Sequence, residues 1–446
     1  MRRILLLALG LLALAAPAWA AGKDDLAAAA VADRRHDSAA AIPLYDRALA
    51  AGTLTPADQA AAYRGRARDE RSQRQFDQAI ADETEAIKLV PGHAQALVDR
   101  ALAYADAGRV DAAVADLTTA LGLEPGDVGA LIDRGSIFAS RNDFAGALVD
   151  LDAAVKAAPG NLGALLTRAT AYHGLGDNDK AIADLDTVIR LRPDLPGAYY
   201  NRGDAWRDKG DFARAIADYT AALRLKPDYA DAFNNRGTAY ALLGKNPKAL
   251  ADFATAIRLD PDNPNAYYNR GKLYRDLGQY DNAIADYDTL IYLTPNFAPA
   301  YAGRAYANFH AGRFPAAAND FKRSLALDPN QPYPILWLHL ARVRARQLDG
   351  EEFAANLAKI DAQAWPAPVA AFLMRKLAAA GLLAAAAKGD ARARAERRCD
   401  AEFFIGEDAL GMGQARAARQ FFLQARRICP TASPSYTGAV AELRRR

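Results

Sequence analysis

The side chains that most often carry out chemistry are sparse in this sequence. Five histidines and two cysteines are spread over 446 residues. His36, His93, His173, His310 and His339 stand tens of residues apart. None shares the three- or four-residue spacing that would set two metal ligands on one helix face. The sequence contains no Gly-x-Ser-x-Gly, no His-Glu-x-x-His and no Gly-x-x-x-x-Gly-Lys-Ser/Thr. Cys399 and Cys429 form no Cys-x-x-Cys and have no histidine beside them, so the sequence carries no sign of thiol redox chemistry. Neither a catalytic centre nor a metal or cofactor site is expected.

Charged residues do recur, and their recurrence is regular. Arginine stands at 66, 100, 134, 168, 202, 236, 270 and 304. Aspartate stands at 82, 116, 150, 184, 218, 252, 286 and 320. Prolines at 91, 125, 159, 193, 227, 261, 295 and 329 keep the same 34-residue step. Counting each unit from 31 residues before its proline, the units begin at 60, 94, 128, 162, 196, 230, 264 and 298. In the unit Pro196 to Tyr229, Tyr199, Gly203 and Trp206 fall on one face of a first helix. Gly210-Asp211 marks a turn, and Ala215, Tyr219 and Ala222 form the inner face of a second helix that Pro227 cannot continue. One such hairpin cannot bury both its faces, so neighbours must stack.

This pattern resembles the tetratricopeptide repeat. It has a large residue at position 4, Gly or Ala at 8, aromatics at 11 and 24, Gly at 15, Ala at 20 and 27, and Pro at 32. The resemblance implies an all-α fold, a right-handed solenoid of helix hairpins followed by a helical C-terminal region. Residues 60–331 would hold eight regular repeats, and residues 21–59 a degenerate hairpin whose second helix includes Ala41 to Ala48. The matched Arg at position 7 and Asp at 23 depart from the family, which more often has apolar residues at both places. The swap predicts an ion pair between first and second helices, within a unit or between neighbours; an ion-binding ladder is the functional alternative.

Composition narrows the class. With 56 basic and 53 acidic residues the net charge is +3, too small for a dedicated nucleic-acid binder. At 51% hydrophobic and 24% charged residues, the chain is too apolar to be a disordered tail. Arg2-Arg3, the apolar run from Ile4 to Ala16 and Ala18-Trp19-Ala20 have the order of a secretory leader. Residues 1–20 are expected to be that leader, cleaved after Ala20, giving a periplasmic or secreted protein without stable membrane insertion.

After Pro329 the regular step is lost, and residues 332–446 read as a diverged helical region. It holds Leu336-Trp337-Leu338-His339-Leu340-Ala341, a Trp365-Pro366 segment and an Ala-rich helix through Gly381. A repeat-like unit over 399–432 recovers Gly406, Gly413, Ala418, Phe422, Ala425 and Pro430. Cys399 opens its first helix and Cys429 closes its second. An antiparallel hairpin sets those ends side by side, which favours a disulfide in an oxidising compartment. A final helix starts at Pro434, and Arg444-Arg445-Arg446 reads as a solvated basic tail. This C-terminal arrangement resembles envelope proteins of the NlpI type, lipid-anchored scaffolds that bring cell-wall hydrolases and a processing protease together. The lipid-anchor cysteine of that type is missing here.

By resemblance to the repeat family, positions 2, 5, 6, 9, 12 and 13 of each first helix line a concave groove. In the middle repeats these include Tyr200, Asn201, Asp204 and Arg207, then Asn234, Asn235 and Thr238, then Tyr268, Asn269, Lys272 and Arg275. Asn201, Asn235 and Asn269 repeat at 34 residues, and a row of amides suits the backbone of an extended peptide. The same spacing also follows if this repeat subtype simply favours Asn-Arg-Gly. Earlier repeats offer Val98, Leu102, Ile132 and Leu166, a more apolar stretch. The expected function is a non-enzymatic scaffold or adaptor in a bacterial cell envelope, binding peptide or protein partners and compatible with homodimerisation. A structural subunit of a secretion or polysaccharide-export assembly, and an unrecognised envelope enzyme, are the alternatives.

Overall fold

A computed structural model describes residues 18–445 apart from 363 and 432, and every regular element among them is an α-helix. The expected leader lies outside the described residues except for Ala18–Ala20, which open the first helix. None of the described helices is long and apolar enough to cross a membrane. The chain divides into two compact units between Lys209 and Gly210.

The first unit holds α1 (Ala18–Arg34), α2 (Ser38–Ala50), α3 (Pro56–Ser72), α4 (Phe76–Leu89), α5 (Ala94–Asp106), α6 (Val110–Leu123), α7 (Val128–Ser140), α8 (Phe144–Ala157), α9 (Leu162–Gly174), α10 (Asn178–Leu191) and α11 (Pro196–Asp208). The second opens with α12 (Phe212–Leu225), α13 (Ala230–Leu242), α14 (Asn246–Leu259), α15 (Pro264–Asp276), α16 (Tyr280–Leu293), α17 (Ala298–His310) and α18 (Phe314–Leu327). It ends with α19 (Pro332–Arg344), α20 (Gly350–Leu357), α21 (Ala367–Leu373), α22 (Ala379–Ala386), α23 (Ala391–Gly411), α24 (Ala415–Ile428) and α25 (Pro434–Arg444). Each unit is built of stacked hairpins: consecutive helices pack together from α1 to α11 and from α12 to α20, as α5 on α6 and α13 on α14, and again from α21 to α25.

Local chemistry sets the helix ends. Asp127 and Asn161 accept from backbone N–H groups at the starts of α7 and α9, and Asp143 and Asp177 do the same for α8 and α10. Position 15 sits in the left-handed region, with φ of +74° at Gly108, +76° at Gly176 and +78° at Gly278. Glycine takes that conformation without a Cβ clash. Arg74 and Asn142 hold the same turn at φ +63° and +60°.

Inside each hairpin one large residue is set between small ones. Ala113, Leu117 and Ala120 are buried in the first unit, and Ala249, Phe253 and Ala256 in the second. Position 8 must be small because the large residue leans on it. A Cβ at Gly237 would stand 2.9 Å from the Phe253 ring, and one at Gly135 would stand 2.9 Å from Leu151.

The recurring charges meet. Arg66–Asp82, Arg100–Asp116, Arg134–Asp150 and Arg168–Asp184 pair in the first unit. Arg236–Asp252, Arg270–Asp286 and Arg304–Asp320 pair in the second. In each, Nε and Nη2 donate to the two carboxylate oxygens at 2.6–2.9 Å, a bidentate fork. Arg202 and Asp218, which complete the series, belong one to each unit. Nη1 reaches the preceding repeat, as from Arg134 to Thr118 at 3.1 Å and from Arg168 to Asp152 at 2.8 Å. The pair therefore works both within a repeat and between neighbours.

The C-terminal helices close the second unit around Trp337, which stacks on Phe403 at 4.9 Å and meets Phe309 edge-on at 4.9 Å. Buried Asp400 accepts from Tyr333 Oη (2.7 Å), Trp365 Nε1 (3.0 Å) and Ser435 Oγ (2.7 Å), tying three segments together. Cys399 and Cys429 are disulfide-bonded, with Cα atoms 4.8 Å apart. The Ala-rich stretch expected as one helix through Gly381 is two, α21 and α22, because Arg375 turns the chain at φ +62°.

Candidate partner-binding surface

Each predicted groove residue lies on a first helix. Tyr200, Asn201, Asp204 and Arg207 are on α11, all half-buried. Asn234, Asn235 and Thr238 are on α13, and Tyr268, Asn269, Lys272 and Arg275 on α15. The first group belongs to the first unit and the others to the second. Within the second unit, α13 lies beside α15 and α15 beside α17, so their inner faces form one surface.

On α11 the charge is answered locally. Arg207 pairs with Asp204 and Asp208, each at 3.0 Å, and Asp208 also meets His173 Nε2 at 2.9 Å. Such pairs fix side-chain direction more than they stabilise.

The asparagines of the second unit do not present a simple open row. Asn269 Nδ2 donates to Asn234 Oδ1 at 3.0 Å, and Asn234 Nδ2 donates to Asn235 Oδ1 at 3.1 Å. Asn234 is buried, so it braces its neighbours instead of facing a partner. Thr238 Oγ1 donates to the Asn234 carbonyl at 3.0 Å. Tyr268 meets Tyr287 and Phe297 edge-on, at 6.3 and 6.1 Å.

Lys272 and Arg275 diverge although they are three residues apart. Lys272 is exposed and enters no hydrogen bond or ion pair among the described residues. Arg275 is 6% exposed, donates to Asp276 at 2.8 Å and lies over the Tyr306 ring. It is withdrawn from solvent against the Tyr306 ring of α17, while Thr431 and Tyr436 of the C-terminal segment come up beside Asp276 and Leu277. Helix α25 packs on α17, α23 and α24, and α17 is buried from Ala300 to His310 at every residue but Arg304. Gly438 permits the close approach, since a Cβ there would meet Phe403 at 2.6 Å and Trp337 at 3.1 Å.

Ahead of that plug, the surface deepens into a cavity of about 330 Å³. Its floor is Phe253, Leu273 and Leu277, and its walls include Thr238, Asn269 and Lys272. Thr431 and Tyr436 close it from the C-terminal side. An apolar floor with amide, hydroxyl and ammonium groups at its edge can hold an apolar side chain and orient the backbone beside it. Repeat positions point to Thr238, Asn269 and Lys272. Tyr436 escapes any periodic argument, because it arrives from more than 150 residues downstream.

Three further histidines are held by their surroundings. His339 Nδ1 lies 2.9 Å from Asp349 and its ring stacks on Phe353. His93 Nε2 lies 2.9 Å from Arg64 Nη1. His310 is buried among Tyr280, Tyr306, Phe309 and Trp337. Burial, with Arg275 and Arg445 nearby, holds its imidazole well below the ordinary histidine range. Among the described residues no group of three or more His, Cys, Asp or Glu could hold a metal ion.

Two family profiles match the chain, described as TPR repeat and tetratricopeptide repeat. The first covers residues 169–206, 203–244 and 237–274, and the second 64–117, 98–161 and 268–332. Among curated proteins nothing matches. Among solved structures the chain is similar to a tetratricopeptide repeat protein from Parabacteroides merdae ATCC 43184. The identity is 23% over 56% of this chain and 98% of that one, with a TM-score of 0.47. It is similar to residues 41 to the end of MamA from Desulfovibrio magneticus RS-1, at 23% identity over 39% of this chain and 97% of that one, with a TM-score of 0.37. It is also similar to YrrB, described as a TPR protein with an unusual peptide-binding site, at 23% identity over 41% and 95% of the two chains, with a TM-score of 0.37. On the profile matches, which together span more than half of its length, this chain belongs to the tetratricopeptide repeat family.

Proposed function

We propose that the protein is a non-enzymatic scaffold of a bacterial cell envelope that holds a peptide or protein segment on the inner face of α13 and α15. The observation that carries this reading is the cavity over Phe253 and Leu273, edged by Asn269 and exposed, unpaired Lys272. Its apolar floor supplies burial area, and its polar edge supplies direction. The leader-like order of residues 1–20 and the Cys399–Cys429 disulfide support an envelope location, where oxidised cysteines persist. An NlpI-like adaptor for cell-wall hydrolases is the specific form of this reading.

The test is a pull-down from envelope extract with residues 21–446, followed by identification and purification of the captured protein. Lys272→Glu with Asn269→Ala serves as the paired variant, checked for native helix content by circular dichroism. The expected result is a hydrolase or protease whose purified form binds the wild type and loses at least tenfold in affinity for the variant. Equal affinity for both would exclude this cavity as the binding site.

A further inference from the structure

A second inner surface, in the first unit, carries an aspartate that enters no hydrogen bond or ion pair among the described residues. On the first helices α5, α7 and α9, of which α7 and α9 pack side by side, Leu102, Ile132 and Leu166 are all only partly buried. Next to them Ser136, Ser140, Thr167 and Thr170 line a shallow depression of about 350 Å³ whose floor includes Leu166. Short side chains leave room there for a partner's longer ones.

Asp133 stands on the same stripe of α7 as Ser136 and Ser140, three and seven residues before them. Its two acidic neighbours on this surface are engaged. Asp99 accepts from Arg64 at 2.9 Å and from Gln95 at 2.9 Å, and Asp106 accepts from Arg71 at 2.6 Å. Asp133 is half-buried and enters no hydrogen bond or ion pair among the described residues. The next repeat offers neutral Thr167 at the matching position. Partial burial pushes the Asp133 carboxyl above the usual carboxylate range. The nearby Arg71 opposes that shift, and Asp127 adds to it. A carboxylate set in a partly desolvated surface without a partner is costly, and an incoming cation removes the cost.

We infer that the inner face of α5, α7 and α9 binds a protein segment that presents a lysine or arginine to Asp133, with aliphatic residues on either side seated on Leu102, Ile132 and Leu166. Charge complementarity selects the basic residue, and the apolar stretch selects its neighbours. This rests on the reading of the chain as a protein-binding scaffold, at a site separate from the cavity over Phe253.

The probes are three fluorescein-labelled nonapeptides, Ala-Leu-Ser-Leu-Xaa-Leu-Ser-Leu-Ala, with Lys, Met or Glu at the centre. Anisotropy titrations use the full chain, its Asp133→Asn and Asp133→Lys variants and, as a control, Lys272→Glu. The expected result is that wild type binds the Lys peptide at least tenfold tighter than the Glu peptide. Asp133→Asn erases that preference, Asp133→Lys reverses it, and Lys272→Glu leaves it intact. Equal binding of the three peptides, binding of none, or a preference that survives Asp133→Asn would overturn the inference. A preference lost in Lys272→Glu but kept in Asp133→Asn would overturn it too, by moving the site to the other cavity. None of these outcomes bears on the envelope pull-down, which reads Lys272 and Asn269. Asn at 133 keeps the shape of Asp and removes the costly charge, so native helix content and a melting temperature no lower than the wild type's are expected and checked.

Discussion

Arg445 Nη2 donates to the carbonyl oxygens of both Phe309 and His310, at 2.7 and 2.6 Å, capping the C-terminal end of α17 from 135 residues away. The last carbonyls of a helix have no partner inside it, and a guanidinium also suits the negative end of the helix dipole. Arg445 is anchored in turn by Glu442, which Arg344 also reaches, together with Glu407. Arg445 is therefore a structural latch and not part of a solvated tail, whereas Arg444 is exposed and Arg446 lies outside the described residues.

Arg445→Ala is expected to destabilise the second unit by about 2 kcal/mol, the worth of charge-assisted hydrogen bonds to buried carbonyls. Arg444→Ala, at an exposed residue, should change stability by under about 0.5 kcal/mol. Urea unfolding followed by tryptophan fluorescence separates the two, because Trp337 lies in the core that the latch closes. Equal effects would show that Arg445 acts only as surface charge.

The recurring Arg–Asp forks predict an asymmetry between single and double replacements. Asp252→Ala strands the Arg236 guanidinium, whose side chain keeps only 16% exposure, and should cost about 3 kcal/mol. Arg236→Met with Asp252→Leu should cost far less, because desolvation offsets most of what such a pair contributes. Burial already pushes Asp286 above the usual carboxylate range despite its partner Arg270. A double-mutant cycle by thermal melting tests this, and a double variant as unstable as the single would refute it.

Glu83 occupies position 24 of its repeat, where the following repeats have Leu117, Leu151 and Leu185. It is buried, both its oxygens lack hydrogen-bond partners, and the closest Arg64 nitrogen is 4.0 Å away. Burial first, and then Asp99, raise its carboxyl to about 8. The folded state thus holds a proton that the unfolded chain releases near pH 4.5. Stability from this site is full below that pH and falls as pH rises toward 8, by about 5 kcal/mol in total. Glu83→Gln should flatten the stability profile of the first unit between pH 5 and 8, read by hydrogen exchange of α4. An unchanged slope would sink the assignment.

His310 gives the second unit the opposite dependence. Its folded value lies below the ordinary 6.5, so the unfolded chain takes up a proton first as pH falls. Stability is lost below about pH 6.5, at up to about 1.4 kcal/mol per pH unit. Arg275 of α15 and Arg445 beyond α25 both face the ring and oppose its protonation. His310→Phe should raise the acid midpoint stability of Trp337 unfolding, and a midpoint that stays put would count against this role.

Much of the architecture was legible in the sequence because its determinants are local. The 34-residue step, Gly or Asn at position 15 and the terminating prolines specify hairpins through contacts only one turn or one helix away. The Arg–Asp forks and the Cys399–Cys429 bond follow from the same hairpin geometry, since their partners lie on adjacent helices. The Ala-rich stretch failed that test: alanine favours helix everywhere, and nothing in the pattern marks Arg375 as the residue that turns the chain.

The proposed binding surface divides along the same line. Repeat positions place Tyr268, Asn269 and Lys272 on the inner face, because helical periodicity alone determines which side chains share a face. Only the tertiary structure decides which of them remain open. Arg275 is buried against Tyr306 of α17, Asn234 is spent bracing Asn269, and Tyr436 closes a cavity from a distant segment. It likewise leaves Asp133 without an ion pair among the described residues while Asp99 and Asp106 find arginines. Burial and pairing depend on what long-range packing brings over a surface, and sequence periodicity carries no information about elements that lie outside its own register.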